Sequence, residues 1–276
     1  MRESLAVTLA ALAACALLRA PAHAADASAW VEDMNSAARL IAGSGKTDDG
    51  SLRAGVEIKL KPGWHTYWRY PGDSGVPPHF SYPGSDNLSA VTVLYPAPQA
   101  ISDETGTSIG YTGHVVFPLR VVPRQKGKPV TLHLKVEYAV CEKLCVPVEA
   151  TTELTLPGGS AATDGAIAAA EARVPKQENA AAAGLTARRV TDTPKALVSV
   201  DLDTSPGQPV QIFAEGPTPD WALPIPKPTQ GAPAGHQHFS FELDGIPPGV
   251  DPKGPFELTF TIVRGDKPIE VKSRLD

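Results

Sequence analysis

Cysteine is scarce in this chain: its 276 residues include three. One of them, Cys15, lies in an apolar N-terminal segment, and the other two form the motif Cys141-Glu142-Lys143-Leu144-Cys145. A structural zinc site usually needs four Cys or His ligands, so this pair does not suffice for one. Copper(I) also favours methionine ligands, and the chain beyond residue 24 offers only Met34. We therefore predict neither a metal site nor a cofactor.

The chain also lacks an excess of positive charge. It has 25 Lys and Arg residues against 30 Asp and Glu residues, a net charge of −5. Nucleic acids and anionic membrane surfaces both select a basic face, so we expect neither as a partner. A phosphate-binding glycine-rich loop and a zinc-protease helix motif are missing as well. His236 and His238 share one face of a strand-like segment, and we interpret them as solvated surface residues.

The first 24 residues contain the longest apolar run. Arg2 precedes a run from Leu5 to Leu18, and Ala22-His23-Ala24 is a small-x-small cleavage site. We predict a cleaved signal peptide over residues 1–24 and a periplasmic product. The segment Leu12-Ala13-Ala14-Cys15 resembles a lipoprotein cleavage box, but the apolar run continues past it, so a lipid anchor is the less favoured alternative. No later stretch approaches the roughly 20 apolar residues that a membrane span needs.

Most of the remaining sequence alternates between apolar and polar residues, as half-buried strands do. Val56–Leu60, Val130–Tyr138 and Leu197–Leu202 are examples, and turn signals such as Pro62-Gly63 separate such runs. The 28 prolines and 24 glycines leave little room for long helices. We predict an all-β protein with β-sandwich architecture.

The composition shifts to alanine between Pro157 and Gly184. Within this segment, we expect Thr163–Arg173 to form a short helix with Thr163 or Asp164 as its cap, ended by Pro175. Residues 177–184 are expected to form a linker. We therefore predict one β-sandwich over residues 25–157, a helix and linker over 158–184, and a second, smaller β-sandwich over 185–276.

The spacing of the cysteine pair requires a chain reversal. In an extended strand, Cα atoms four residues apart are roughly 13 Å apart, whereas a disulfide needs ~4.4–6.8 Å. We therefore predict a hairpin with residues 142–144 as its loop, so that Cys141 and Cys145 face one another. Closing so short a loop contributes only about 2 kcal/mol. Strained, exposed disulfides tend to be reducible, so we favour a redox role, with a structural bridge and, less favoured, a metal site as alternatives.

An aromatic run spans residues 64–70. On a strand, one side of this run would carry Trp64, Thr66, Trp68 and Tyr70, and the other His65, Tyr67 and Arg69. We expect these residues to pack in and around a sandwich core. The alternative is a stacking platform for a sugar or peptide, which would make the protein a non-enzymatic binding module with a structural disulfide. A third hypothesis is a structural or chaperone-like adaptor whose thiols never exchange.

Four segments in a fixed order carry a family resemblance. They are Pro62–Gly75 with the following Pro77-Pro78, Gly110–Gly113, Val116–Leu119, and Tyr138–Pro147 with its two cysteines. Together they resemble the N-terminal periplasmic domain of DsbD, a thiol:disulfide interchange protein. The Cys-x3-Cys spacing is similar to that of the ScsB-like branch, and the likeness spans about residues 40 to 157.

This resemblance implies an immunoglobulin-like β-sandwich in an electron-transfer chain. Such a domain takes electrons from a membrane-embedded module through a thioredoxin-like domain. It passes them to periplasmic thiol proteins, including disulfide isomerases and cytochrome c maturation factors. The sequence ends at Asp276 without either of those modules, so we expect either that a separate protein, a membrane or thioredoxin-like donor, supplies the electrons or that the protein acts differently. The expected activity is that of a thiol–disulfide oxidoreductase component, with periplasmic thioredoxin-like or disulfide isomerase proteins as partners.

The resemblance also implies residue roles. Cys145 would form the mixed disulfide with the partner and Cys141 would resolve it, which makes these two the predicted catalytic residues. Better-studied relatives cap their cysteines with an aromatic residue after an Asp-Glu pair, whereas Thr105 holds that position here. Tyr111 is a candidate substitute, and Lys143 would favour a thiolate that Glu142 opposes. The residues expected to support the site are Asp103, Glu104, Tyr111, Tyr138, Glu142, Lys143 and Pro147.

Overall fold

The computed structural model describes residues 25–72, 75–103, 106–190 and 196–276. The predicted signal peptide, Cys15, and the pair Glu104-Thr105 lie outside these ranges. Within them, two helices accompany nineteen strands in four sheets. The predicted all-β, sandwich-type fold is confirmed. None of the helices in the described ranges is both long and apolar enough to cross a membrane.

The first eleven strands build the first two sheets. Their bounds are β1 (Val31–Glu32), β2 (Ser36–Lys46), β3 (Leu52–Leu60), β4 (His65–Tyr67), β5 (His79–Ser81), β6 (Leu88–Val93), β7 (Gln99–Asp103), β8 (Gly106–Thr112), β9 (His114–Pro123), β10 (Val130–Cys141) and β11 (Cys145–Leu156). One sheet has the order β1-β2-β3-β9-β6, and the other has the order β11-β10-β4-β8-β7 with β5 paired to β10. The pairings are antiparallel.

These two sheets enclose a core because their strands present one apolar side each. On β10, Val130, Leu132 and Leu134 are fully buried, and the residues between them are partly exposed. Phe117 on β9 and Trp68, which follows β4, are among the largest fully buried side chains of this core. The two-residue period of the sequence thus corresponds to the inward and outward sides of the strands.

Helix α1 (Ala161–Ala172) packs on β2 and β9 through Ile167 and Ala170. The predicted cap was wrong by one turn, because Ser160 is the N-cap. Its hydroxyl accepts a hydrogen bond from the Thr163 amide (3.4 Å), and Thr163 Oγ1 accepts one from the Ser160 amide (2.8 Å). Thr163 therefore completes a capping box from inside the helix. Asp164 binds the amide of Ser44 instead (3.0 Å).

The remaining elements form two further sheets. They are β12 (Lys176–Glu178), α2 (Ala180–Ala183), β13 (Leu185–Val190), β14 (Leu197–Asp203), β15 (Gln211–Glu215), β16 (Lys227–Thr229), β17 (His236–Glu242), β18 (Phe256–Val263) and β19 (Ile269–Leu275). The strand orders are β12-β19-β18-β15 and β13-β14-β17-β16. The segment expected as a linker contributes β12, which pairs in parallel with β19, and α2, whose N-cap is Asn179.

Arg69 connects the first pair of sheets to the second. It follows β4, and its guanidinium donates to Glu215 Oε1 (2.8 Å) and Oε2 (2.7 Å) and also to Glu270. The guanidinium lies over the ring of Trp68, 4.6 Å from the centroid. The hydroxyl of Tyr70 donates to the carbonyl of Leu223 (2.9 Å). These contacts fix the segment after β4 against the second pair of sheets.

Candidate functional site

The two cysteines face one another at the end of the β10–β11 hairpin. The register runs without interruption from Val130 opposite Leu156 to Cys141 opposite Cys145. The cysteine Cα atoms are 4.2 Å apart and a disulfide joins the side chains. The predicted hairpin is therefore confirmed. Cys141 is 3% exposed, whereas Cys145 is an exposed residue, so an external thiolate reaches the sulfur of Cys145 more easily.

The hydroxyl of Tyr67 contacts both sulfur atoms of the disulfide. It donates to Sγ of Cys141 at 2.8 Å and lies 3.1 Å from Sγ of Cys145. The residue is placed by β4, which pairs with the end of β10 so that His65 is opposite Cys141 and Thr66 is opposite Val140. Tyr67 itself is buried, with 2% exposure, beside Ala139 and Cys141.

Two neighbours of Tyr67 hold β4 in this position. Thr66 is fully buried, and its hydroxyl donates to the carbonyl of Ala139 (2.8 Å). The ring of His65 packs edge-on against the ring of Tyr67, with centroids 5.4 Å apart. His65 and Tyr67 therefore form the wall of the site on the side of β4.

Gly75 covers the ring of Tyr67 from outside. A Cβ atom at this position would lie 2.5 Å from Cε1 of Tyr67 and 2.8 Å from Cβ of Pro71. Such distances are far below van der Waals contact, so a side chain would displace the ring or the loop. The close approach of this backbone requires glycine and fixes the tyrosine over the disulfide.

A cavity of about 510 Å³ opens beside Cys145. Its lining is mainly apolar and includes Val76, Pro77, Pro147 and Val148 together with Cys145. Val76 is 58% exposed, and Leu144 at the tip of the hairpin is 78% exposed. Cys145, an exposed residue, thus lies beside apolar groups that a docking protein could cover.

Four of the predicted supporting residues lie near the hairpin. Pro147 and Tyr138 line the cavity beside Cys145, and the hydroxyl of Tyr138 shares a hydrogen bond with Ser36 (2.8 Å). Burial raises the pKa of Tyr138 above its usual value of 10.0, and the Ser36 hydrogen bond opposes this shift. Glu142 and Lys143 are exposed in the loop between the cysteines.

Tyr111 belongs to the main core rather than to the group around the disulfide, and Asp103 lies elsewhere on the same sheet. Tyr111 is buried, its hydroxyl donates to the carbonyl of Pro96 (2.7 Å), and its ring packs against Phe117. Burial raises the pKa of Tyr111 well above 10.0. Asp103 ends β7 opposite Gly106, whereas Thr112 at the other end of β8 pairs with His65. The register therefore separates Asp103 from the cysteine end of the sheet.

Tyr67 is the residue in contact with the disulfide that the sequence did not single out. The alternation in residues 64–70 correctly separates two faces: Trp68 and Tyr70 join the main core, whereas Tyr67 packs with Ala139 and Cys141. The alternation indicated only that Tyr67 lies on the opposite side of the strand from the tryptophans. Its position at the sulfurs depends on the pairing of β4 with β10, which no local pattern specifies.

One group of imidazole and carboxylate side chains in the described ranges is close enough to share a metal ion. It comprises Asp201, Asp203 and His236, on β14 and β17. The disulfide-bonded cysteines are not part of it.

The fold and site define a β-sandwich domain with an asymmetrically exposed hairpin disulfide. Residues 36–157 match the family model described as the N-terminal domain of the thiol:disulfide interchange protein DsbD. This part of the chain is therefore similar in sequence to the N-terminal domain of DsbD.

A solved structure extends the likeness beyond residue 157. The crystal structure of the N-terminal periplasmic domain of ScsB from Proteus mirabilis superimposes with a TM-score of 0.72 and 21% sequence identity. The match covers 91% of this chain and 98% of that one. The crystal structure of the CupB6 tip adhesin from Pseudomonas aeruginosa matches at a TM-score of 0.17 and 10% identity, over 92% of this chain and 97% of that one. None of the curated protein sequences matches the chain.

Proposed function

We propose that this chain is a periplasmic thiol–disulfide exchange module that transfers electrons through the Cys141–Cys145 disulfide. One observation carries the proposal: an exposed sulfur is paired with a buried one, and the hydroxyl of Tyr67 contacts both. An inert bridge has no need of a hydrogen-bond donor directed at its sulfurs. The match of residues 36–157 to the DsbD N-terminal family supports the same chemistry.

Reduction of the module begins at Cys145. A thiolate of the electron donor attacks its Sγ, forming a mixed disulfide and releasing the electron pair of the broken S–S bond to Cys141 as a thiolate. The second thiolate of the donor then attacks the donor sulfur of that mixed disulfide and releases Cys145. The donor leaves as a disulfide, and the module has gained two electrons and, after protonation, two protons.

The reduced module passes its electrons on by the reverse sequence. The thiolate of Cys145 attacks a partner disulfide, and the thiolate of Cys141 resolves the mixed disulfide, which restores the Cys141–Cys145 bond and releases a partner dithiol. In both directions Cys141 is the group that leaves or resolves. The hydroxyl of Tyr67 donates to this sulfur, and such a hydrogen bond stabilises a thiolate more than a disulfide sulfur.

The partners that this arrangement fits are thioredoxin-like proteins, including disulfide isomerases. The apolar cavity beside Cys145 and the exposed Leu144 supply a desolvated contact around the reacting sulfur. We further propose that residues 185–276 act as a second domain, which orients the first through Arg69. A membrane or thioredoxin-like donor would supply the electrons.

A trapping experiment tests the proposal. In the Cys141→Ser variant, the free thiol of Cys145 is expected to form a persistent mixed disulfide with an oxidised thioredoxin-like protein. The matched Cys145→Ser variant leaves only the buried thiol of Cys141, so it is expected to form the mixed disulfide at least about tenfold more slowly. Trapping that instead depends on Cys141 would reverse the assigned roles. A reduction potential far below about −300 mV would indicate a structural bridge and would refute exchange.

A further inference from the structure

A cluster of four side chains on the second pair of sheets has no part in thiol exchange. Strands β14 and β17 are antiparallel, and their register places Asp201 opposite His238 and Asp203 opposite His236. Residues two apart on a strand share a face, so all four side chains lie on one side of the sheet. The intervening Leu202 is buried on the opposite side.

The polar atoms of this cluster converge. Nδ1 of His236 lies 2.9 Å from Oδ1 of Asp201 and 3.1 Å from Oδ1 of Asp203. Nε2 of His238 lies 2.5 Å from the other carboxylate oxygen of Asp201. One ligand atom from each of Asp201, Asp203 and His236 can be chosen within 4.8 Å of the others.

These distances are close to those in a metal site. Zinc binds imidazole nitrogen and carboxylate oxygen at about 2.0–2.2 Å, so two ligands in a tetrahedral site are roughly 3.3–3.6 Å apart. If the side chains of Asp201, Asp203 and His236 moved apart by about half an ångström, a metal ion could replace the protons of the hydrogen bonds between them. Imidazole ligands disfavour calcium and magnesium, which select oxygen, and the absence of thiolate and thioether groups in the cluster disfavours copper(I).

The cluster is accessible from solvent. Asp203 and His236 line a cavity of about 800 Å³ that also contains Arg264 and Lys267. The guanidinium of Arg264 donates to the backbone carbonyl of Asp203 (3.1 Å). These two cations oppose the binding of a positive ion, so the site would be moderate in affinity.

We propose that Asp201, Asp203 and His236 bind one divalent transition-metal ion of the zinc type on the solvent face of β14 and β17, and that His238 holds the carboxylate of Asp201 in position. The ion would join two strands that are 30 or more residues apart in sequence. It would be independent of the redox state of the cysteines, because none of its ligands is a thiol.

Binding of Zn²⁺ to the untagged, oxidised protein tests the proposal. With the cysteines in a disulfide, thiolate ligands are excluded, so isothermal titration is expected to show one Zn²⁺ per chain. Substitution of Co²⁺ is expected to give the visible absorption of nitrogen and oxygen ligands without a thiolate charge-transfer band. His236→Gln, which removes a ligand, is expected to weaken Zn²⁺ binding at least about tenfold, and His238→Gln, which removes only the partner of Asp201, is expected to weaken it less.

The matched control is His133→Gln, a histidine whose ring also lies beside a carboxylate, that of Glu153 (3.4 Å), on the β10–β11 hairpin. This variant is expected to bind Zn²⁺ as the unmodified protein does. Asp203→Asn, at a side chain 63% exposed, provides a mild second test should a histidine variant unfold. Zn²⁺ that fails to saturate a single site below about 1 mM (a free energy near −4 kcal/mol), or that binds equally to all variants, would overturn the proposal.

Discussion

The phenolic hydroxyl of Tyr67 donates a hydrogen bond to Sγ of Cys141 over 2.8 Å. The donor is held in place, because Tyr67 is buried and Gly75 packs on its ring. Hydrogen bonds to ionised acceptors are roughly twice as strong as those to neutral ones. The contact should therefore strengthen when the disulfide opens and Cys141 becomes a thiolate.

Tyr67→Phe should make the disulfide harder to reduce. The variant keeps the ring and removes the donor to Cys141, so it destabilises the released thiolate by about 1.5 kcal/mol. Loss of stabilisation in the reduced form makes the reduction potential more negative, by up to about 30 mV. We expect up to about tenfold slower exchange with a thioredoxin-like protein. The measurements are a glutathione redox titration and stopped-flow exchange kinetics.

The control for this change is Tyr111→Phe. It also removes one buried phenolic hydroxyl from the same sheet, but that hydroxyl donates to the carbonyl of Pro96. We expect a modest loss of stability and an unchanged potential. Equal shifts of potential in the two variants would show that the effect is general destabilisation and would contradict a specific role of Tyr67.

Gly75→Ala should disturb the site through packing. The added Cβ would lie 2.5 Å from the buried ring of Tyr67, and overpacking of this kind costs about 1–3 kcal/mol. Displacement of the ring should also slow exchange. The matched control is Gly45→Ala on β2, where a Cβ meets nothing within 4 Å. Urea unfolding and the exchange rate measure both effects; a normal exchange rate in Gly75→Ala would show that the ring position is unimportant.

The cysteine hairpin could be predicted because its geometry is local. Two cysteines separated by three residues can bond only if the chain reverses between them, and the strand patterns on both sides supply the two arms. Helix α1 was predicted for a similar reason, although the expected caps, Thr163 or Asp164, lie three and four positions after the observed N-cap Ser160.

Contacts between residues distant in sequence could not be predicted. Tyr67 and Cys141 are 74 positions apart, and Arg69 is 146 positions from Glu215 and 201 from Glu270. Alternation shows which face of a strand a side chain occupies but not which strand lies next to it. The contact between Tyr67 and Cys141 therefore depends on the pairing of β4 with β10, which the sequence pattern does not specify.

Arg69→Met should weaken the connection between the two pairs of sheets. The change keeps apolar volume beside Trp68 but leaves the carboxylates of Glu215 and Glu270, whose side chains are 15% and 12% exposed, without their shared cation. Removing one partner of such a half-buried network costs about 3 kcal/mol. Urea unfolding should show this loss of unfolding free energy.

The control is Arg274→Met, which removes a guanidinium paired with Asp276 at the surface, with 69% and 83% exposed side chains. Exposed pairs contribute little, so we expect a change of less than about 0.5 kcal/mol. If Arg69→Met were no more destabilising than this control, the ion pairs of Arg69 would make no measurable contribution to the free energy of unfolding.

Glu171 should make the docking of helix α1 sensitive to acid. Its carboxylate accepts hydrogen bonds from Arg53 (2.8 and 3.2 Å) and Arg120 (2.5 Å). Burial favours the neutral acid, but these hydrogen bonds and charges outweigh it and lower the pKa of Glu171 below its usual 4.5. A lowered pKa in the folded state means that the stabilisation is fully present above about pH 4.5 and is lost as the pH falls through the folded pKa.

Glu171→Gln should therefore cost about 2 kcal/mol of unfolding free energy at pH 7 and should lose less on acidification than the unmodified protein. Urea unfolding at pH 7, 5, 4 and 3 measures both quantities. The control Glu257→Gln removes a carboxylate whose ion pair with Lys272 (3.2 Å) is more than half exposed, so its pH profile should follow that of the unmodified protein. Parallel profiles for Glu171→Gln and the unmodified protein would mean that Glu171 is equally easy to protonate in the folded and unfolded chains, and that the two arginines do not hold α1 through its charge.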